Sequence, residues 1–235
     1  MNTAKDVQKI LRGLADPAIA EHALRFFKTG KGEYGEGDCF LGIRVPVIRS
    51  QLKSFKNLSL TEIVKILKSH YHEERLFALL LLVSQYSLGS VANKDRIYKI
   101  YIDNTGFINN WDLVDSSASQ IVGAYLEARD RAVLYQLAAS DMLWERRIAV
   151  IACFYFIRLN DFIDILKLAE LLIHDAEDLI HKAIGWMLRE VGKRNMDVEC
   201  HFLNKYYQSM PRIMLRYAIE KFPEKMRQQY LQGIK

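Results

Sequence analysis

Cysteine is scarce in this chain of 235 residues: Cys39, Cys153 and Cys200 are its three, and no two are spaced as a CxxC pair. An odd, scattered set excludes a disulfide framework and a thiolate metal site, and it suits a reducing cytoplasm. The histidines are no better placed. His70 and His72 flank Tyr71, His174 and His181 fall on neighbouring segments, and no HExxH or Cys/His spacing occurs, so no metal and no cofactor is expected. There is no GxSxG, and Cys153 lies in an apolar segment as a small packing residue, which leaves nucleophilic catalysis without a candidate. Long apolar runs are missing too: the longest, Leu76 to Val83, is too short to cross a bilayer. The opening MNTAKDVQKILRGL is amphipathic and lacks the continuous apolar stretch of a signal peptide. Finally, no segment sustains the alternation of apolar and polar residues that a half-buried strand requires.

What is present is helical periodicity from end to end. Half the residues are apolar, enough for a substantial core, and the net charge of +5 permits a polyanionic partner without demanding one. Helices are expected over 3–14, 17–28, 47–54, 60–68, 73–86, 94–103, 112–128, 131–140, 143–159, 161–174, 177–194, 198–208 and 211–222, with a short C-terminal turn. Ser59 to Glu62 reads as a capping box, Pro17 and Pro211 suit first helical positions, and Pro223 ends the helix before it. Only four prolines occur, so caps and polar turns make most of the breaks. Helices in pairs joined by short turns suggest one all-α domain over 1–235, a stacked solenoid with repeats of roughly 35 to 45 residues. That reading rests on rhythm, and an irregular bundle is the alternative.

The segment Leu143 to Leu159 is apolar on nearly every side, yet Arg147 sits inside it. A buried guanidinium must meet a carboxylate, a carbonyl or a bound anion, and the sequence leaves these open. The stretch TGKGEYGEGD from Thr29 to Asp38 has four glycines and looks like a phosphate loop only superficially, since no GK[ST] follows; it is expected to be a mobile surface loop.

Three tryptophans each sit beside charge: Trp111 in NNWDLVD, Trp144 in LWERR and Trp186 in HKAIGWMLRE. At about 100° per residue, Lys182, Trp186, Arg189 and Lys193 share one stripe, opposite Ile180, Ile184, Met187, Leu188 and Val191. An indole on a charged stripe suggests a flat ligand; cover by other helices, or stacking on neighbouring aliphatic stems, would also explain it. Trp111 and Asp115 are four residues apart and project to one side. A carboxylate in a first helical turn is favoured by the helix dipole in any protein, which covers Asp112 as well. Asp115, however, borders the stripe of Val114, Ala118, Val122 and Leu126, so it should be partly desolvated and suited to holding a cation.

The order FLGIRVP, NNWDLVD, LWERRIAVIA, DLIHKAIGWMLREVGKR resembles the AlkD family of HEAT-like alkylpurine DNA glycosylases over nearly the full length. The resemblance implies a HEAT-like helical repeat solenoid, a curved right-handed superhelix of antiparallel helix pairs with a basic concave face. It also implies hydrolysis of the N-glycosidic bond of cationic N3- or N7-alkylated purines in double-stranded DNA, without a base-flipping pocket. Trp111, Trp186 and Asp115 match the family's catalytic trio: the indoles packing on the deoxyribose backbone, the carboxylate stabilising the sugar cation and orienting water. Arg147 matches its phosphate-gripping arginine, Arg189 a further basic position, and Lys182 and Lys193 extend the DNA-binding stripe. Trp144 is a packing residue that sets the register of Arg147. A monomer in the cytoplasm, with no membrane and no metal, completes the expectation. The family's helix near the N-terminus, which enters the minor groove, falls where this chain reads ALRFFKTGKGEYGEGDCFLG, with a glycine-rich insert after Phe27. Were that helix missing, the protein could bind damaged or branched DNA without excision; a protein-binding helical scaffold is the reading from another class.

Overall fold

A computed structural model describes residues 3–235, and among these the chain is all-helical, with one isolated bridge between Cys39 and Tyr71. The helices pack in successive pairs, the arrangement of a HEAT-like repeat fold. The chain divides between Ser117 and Ala118 into two compact units.

The first unit holds α1 (Ala4–Gly13), α2 (Pro17–Phe26), α3 (Val45–Gln51), α4 (Leu60–Leu67), α5 (His72–Leu88), α6 (Val91–Ile102) and α7 (Trp111–Asp115). A capping box between Thr3 and Asp6 starts α1, and Asp16 caps α2 ahead of Pro17. The box expected at Ser59 is only half formed. Ser59 accepts from the Glu62 amide, but the Glu62 carboxylate instead accepts the Ala4 amide at 2.7 Å, tying α4 to α1.

Helix α5 is the axis of this unit, buried nearly all round. Its first four residues, His72, Glu73, Glu74 and Arg75, are polar and buried, an arrangement that requires partners for their charges. Glu73 accepts the amides of Leu41, Gly42 and Ile43 at 2.8, 2.7 and 3.2 Å. Glu74 takes Arg12, Gln8 and the Ser69 hydroxyl. Arg75 donates to Asp38 at 2.5 Å and to the carbonyls of Ser69 and His70. Gly42, at φ +78°, is required here: a Cβ would lie 2.1 Å from the Asp16 carbonyl oxygen.

The second unit holds a π turn (Ser119–Gly123), α8 (Ala132–Ala138), α9 (Leu143–Ala152), α10 (Phe154–Arg158), α11 (Ile163–Leu171), α12 (Asp178–Gly192), α13 (Met196–Tyr206), α14 (Arg212–Ala218) and α15 (Glu224–Gln232). Three boundaries depart from the periodicity. The helix expected over 112–128 breaks at 116–117, where the Ser116 and Ser117 hydroxyls both donate to the Leu113 carbonyl, at 3.3 and 2.6 Å, competing with the backbone ladder. The one expected over 143–159 breaks at Cys153, whose amide bonds to the Val150 carbonyl three residues back. The expected C-terminal turn is the nine-residue α15, anchored by buried Tyr230.

Candidate functional site

Helix α7 is five residues long, and its sequence builds the candidate group of the first unit. Asn110 caps it, accepting the Trp111 amide at 2.9 Å. Trp111 and Asp115 then emerge one turn apart, both half-buried, as their spacing predicts. The Trp111 indole stacks on Phe27 at 5.5 Å and 26°, and Phe26 meets it edge-on at 5.9 Å. Asp115 is close enough to Tyr101 to help burial push that hydroxyl's pKa up; the hydroxyl itself bonds to Ser117 at 2.9 Å.

Behind the indole lies a hub that sequence reasoning missed. His72 is 2% exposed, with Nδ1 3.2 Å from Asp38 and Nε2 2.8 Å from Asp112. Phe27 and Phe40 stack against its ring at 4.9 and 4.8 Å. Burial alone would lower its pKa, but the bonds to Asp112 and Asp38 outweigh that and raise it to about 9. Burial conversely pushes the Asp38 carboxyl upward, and its bonds with His72 and Arg75 more than reverse the effect, leaving it below its ordinary value. Asp38 also accepts from Asn109 and Asn110, at 3.3 and 3.4 Å. The glycine-rich stretch expected to be a surface loop thus ends in a buried anchor. The available signal was the run HEER leading into an all-apolar helix, four polar residues placed where solvent could not follow.

The second unit carries the remaining candidates. Trp186, on α12, is half-buried; its Nε1 donates to Glu190 at 3.1 Å and Phe154 packs against it at 6.0 Å. The stripe around it is less cationic than its lysines and arginine suggest. Glu190 sits within it and takes Lys193 at 2.6 Å, while Arg189 is paired with Glu220. Lys182 is half-buried on the same helix. Arg147 is 5% exposed and donates to the carbonyl of Leu179 in the first turn of α12 at 2.6 Å, one of the partners its burial calls for. It fastens α9 to the helix that carries Trp186. Trp144, on α9, is buried at 7% exposure, as a packing residue should be.

No group of three His, Cys, Asp or Glu side chains is placed to hold a metal ion among the described residues, and no helix among them is long and apolar enough to cross a membrane. Each unit of this all-α repeat fold thus carries a half-buried indole with a carboxylate one turn on, Trp111 with Asp115 and Trp186 with Glu190. The comparisons with known proteins specify the protein's class further. The profile of the DNA alkylation repair enzyme family matches residues 7–222, and the chain belongs to that family. Among solved structures it is similar to a predicted DNA alkylation repair enzyme from Enterococcus faecalis, at 16% identity and a TM-score of 0.68, covering 89% of this chain and 97% of that one. No curated protein matches the chain.

Proposed function

We propose that this protein is a monofunctional DNA glycosylase, hydrolysing the N-glycosidic bond of cationic N3- or N7-alkylated purines in duplex DNA. The observation that carries the reading is the pair on α7: an indole and a carboxylate one turn apart, both half-exposed, in a member of an alkylation repair family. Alkylation makes the purine a good leaving group, so the chemistry left to the protein is to stabilise the positive charge that develops on the sugar. The Asp115 carboxylate does this by charge and by orienting the attacking water, and the electron-rich face of Trp111 by its quadrupole. No general acid is needed, so the reading assigns no proton transfer to a histidine.

In the second unit, taken by itself, the Trp186 indole packs on the deoxyribose backbone, and Lys182, Lys193 and Arg189 meet phosphates once DNA competes with Glu190 and Glu220 for them. The α2 helix supports the reading as well. It is present over ten residues, the glycine-rich insert follows rather than interrupts it, and none of its side chains is buried, so it offers a bare face with Phe26 at 56% exposure. In the resemblance drawn from the sequence, the family's minor-groove helix falls in this stretch.

Release of 7-methylguanine or 3-methyladenine from methylated duplex tests the proposal: Asp115→Asn should abolish release and leave duplex binding largely intact, and unchanged release would remove Asp115 from the mechanism. A second reading is favoured by the engagement of Arg147 and Arg189 within the protein: a family member that binds DNA without excision. It requires salt-dependent duplex binding by wild-type protein that releases no base after any alkylation.

A further inference from the structure

The buried imidazole of the first unit takes no part in the chemistry just described, yet every bond it makes leads to α7. We propose that His72 is a positioning residue for the Trp111 and Asp115 pair: clamped between Asp38 and Asp112, it holds the first turn of α7 in the orientation the site needs. The proposal rests on the reading of Trp111 and Asp115 given above.

A helix of five residues cannot fix its own direction, because so few backbone bonds do not repay the cost of nucleation. Its orientation has to come from outside. Of the four residues Asn109, Asn110, Trp111 and Asp112, three are held by this one network: Asn109 and Asn110 through Asp38, and Asp112 through His72 itself. The fourth, Trp111, stacks on Phe27, whose ring also lies against the imidazole. Asp115 follows Asp112 by three residues, about 4.5 Å of helix rise, so rocking the first turn swings the carboxylate directly.

The geometry also prescribes the proton count. Both ring nitrogens of His72 face carboxylate oxygens, which only accept, so both must donate and the ring must be an imidazolium. A neutral ring would lose one of the two bonds and release either the Asp38 side or the Asp112 side of the clamp. The charges around it are Asp38 from the loop, Asp112 from α7, and Arg75, Glu73 and Glu74 from its own helix, Glu73 being occupied by backbone amides and Glu74 by Arg12. His22 of α2 and Arg44 line the same small cavity. Two carboxylates against one guanidinium leave the imidazolium as the balancing charge, in keeping with a pKa raised to about 9.

The test uses His72→Gln, which keeps one amide donor but cannot bond to both carboxylates, with Asp112→Asn as a second variant should the first fold poorly. Single-turnover base release should fall on the order of 10- to 100-fold, the cost of misplacing a reacting group by about 1 Å, while duplex affinity changes by less than about threefold. Wild-type release should decline above a pH of about 9, a limb absent from His72→Gln. A readout without activity uses a Trp144→Phe, Trp186→Phe background in which Trp111 is the sole emitter: His72→Gln should shift its emission and increase its quenching by acrylamide. Imidazole NMR should show His72 doubly protonated at neutral pH. A His72 that titrates at or below its ordinary value, or a folded His72→Gln with unchanged release and unchanged Trp111 emission, would overturn the proposal. If wild-type protein releases no base, the glycosylase reading fails by itself, and the Trp111 emission and NMR titration still decide whether His72 sets α7.

Discussion

Gly185, next to Trp186 on α12, lets that helix approach the backbone of α14 closely, and replacing it with alanine is a sharp test of how α12 is placed. An added Cβ would lie 2.4 Å from the Met214 carbonyl oxygen and 2.6 Å from the Tyr217 Cβ, both on α14. Contacts of this kind sit comfortably at about 3.5 Å, so α12 and α14 would have to separate by roughly 1 Å. Both obstacles are backbone or Cβ atoms, which cannot rotate aside. Overpacking of this sort costs about 1–3 kcal/mol, and the intrinsic gain of alanine over glycine in a helix returns up to about 1 kcal/mol. A net loss of about 1–2 kcal/mol is expected, lowering Tm by roughly 5 °C. Urea unfolding of Gly185→Ala measures it, with Gly13→Ala as control, since a Cβ at Gly13 meets nothing within 4 Å and should be neutral or stabilising. A Gly185→Ala protein as stable as wild type would show that α12 and α14 are not in the contact described here. Gly123 stands in the same relation to Ala152 and Tyr155, at 2.3 and 2.6 Å, and Gly123→Ala should lose a similar amount.

Burial raises the Glu199 carboxyl pKa to about 9, with Arg189 only partly offsetting it. A folded pKa above the unfolded one gives stability that is present at acid pH and lost as pH climbs towards the folded value. Glu199→Gln should therefore become progressively more stable than wild type as pH rises, the difference growing by about 3 kcal/mol between pH 4.5 and 7; parallel urea curves across that range would refute the burial argument. His72 has the same sign by a different route: its raised pKa stabilises the fold fully below pH about 6.5, and that contribution, about 3 kcal/mol, should fade as pH passes about 9 in a melt series, and fade less in His72→Gln. Arg147→Met should lower stability by about 1–3 kcal/mol, because the Leu179 carbonyl loses its donor, with little change in the salt slope of duplex binding; a slope reduced by about one would instead mark Arg147 as a phosphate contact.

The alkylation repair reading and the helical framework were legible early because both depend on short-range pattern. Periodicity located most helices, the spacing of Trp111 and Asp115 put them on one side of one turn, and the character of Trp144 as packing followed from its apolar surroundings. Glu190, four residues after Trp186, stands on the same stripe by the same helical spacing and accepts its indole N–H. The rest required chain segments that are distant in sequence. Asp38 and His72 are 34 residues apart, and His72 and Asp112 are 40; the partner of Arg189 lies 31 residues on, and the carbonyl that Arg147 reaches 32. By itself, then, the sequence determined an all-helical chain, where its helices run and which indole and carboxylate stand together on α7. Only the tertiary structure decided what holds α7 in place and which cations are already engaged, because a buried charge is defined by the groups that satisfy it, and those are brought up by folding rather than by neighbouring positions in the chain.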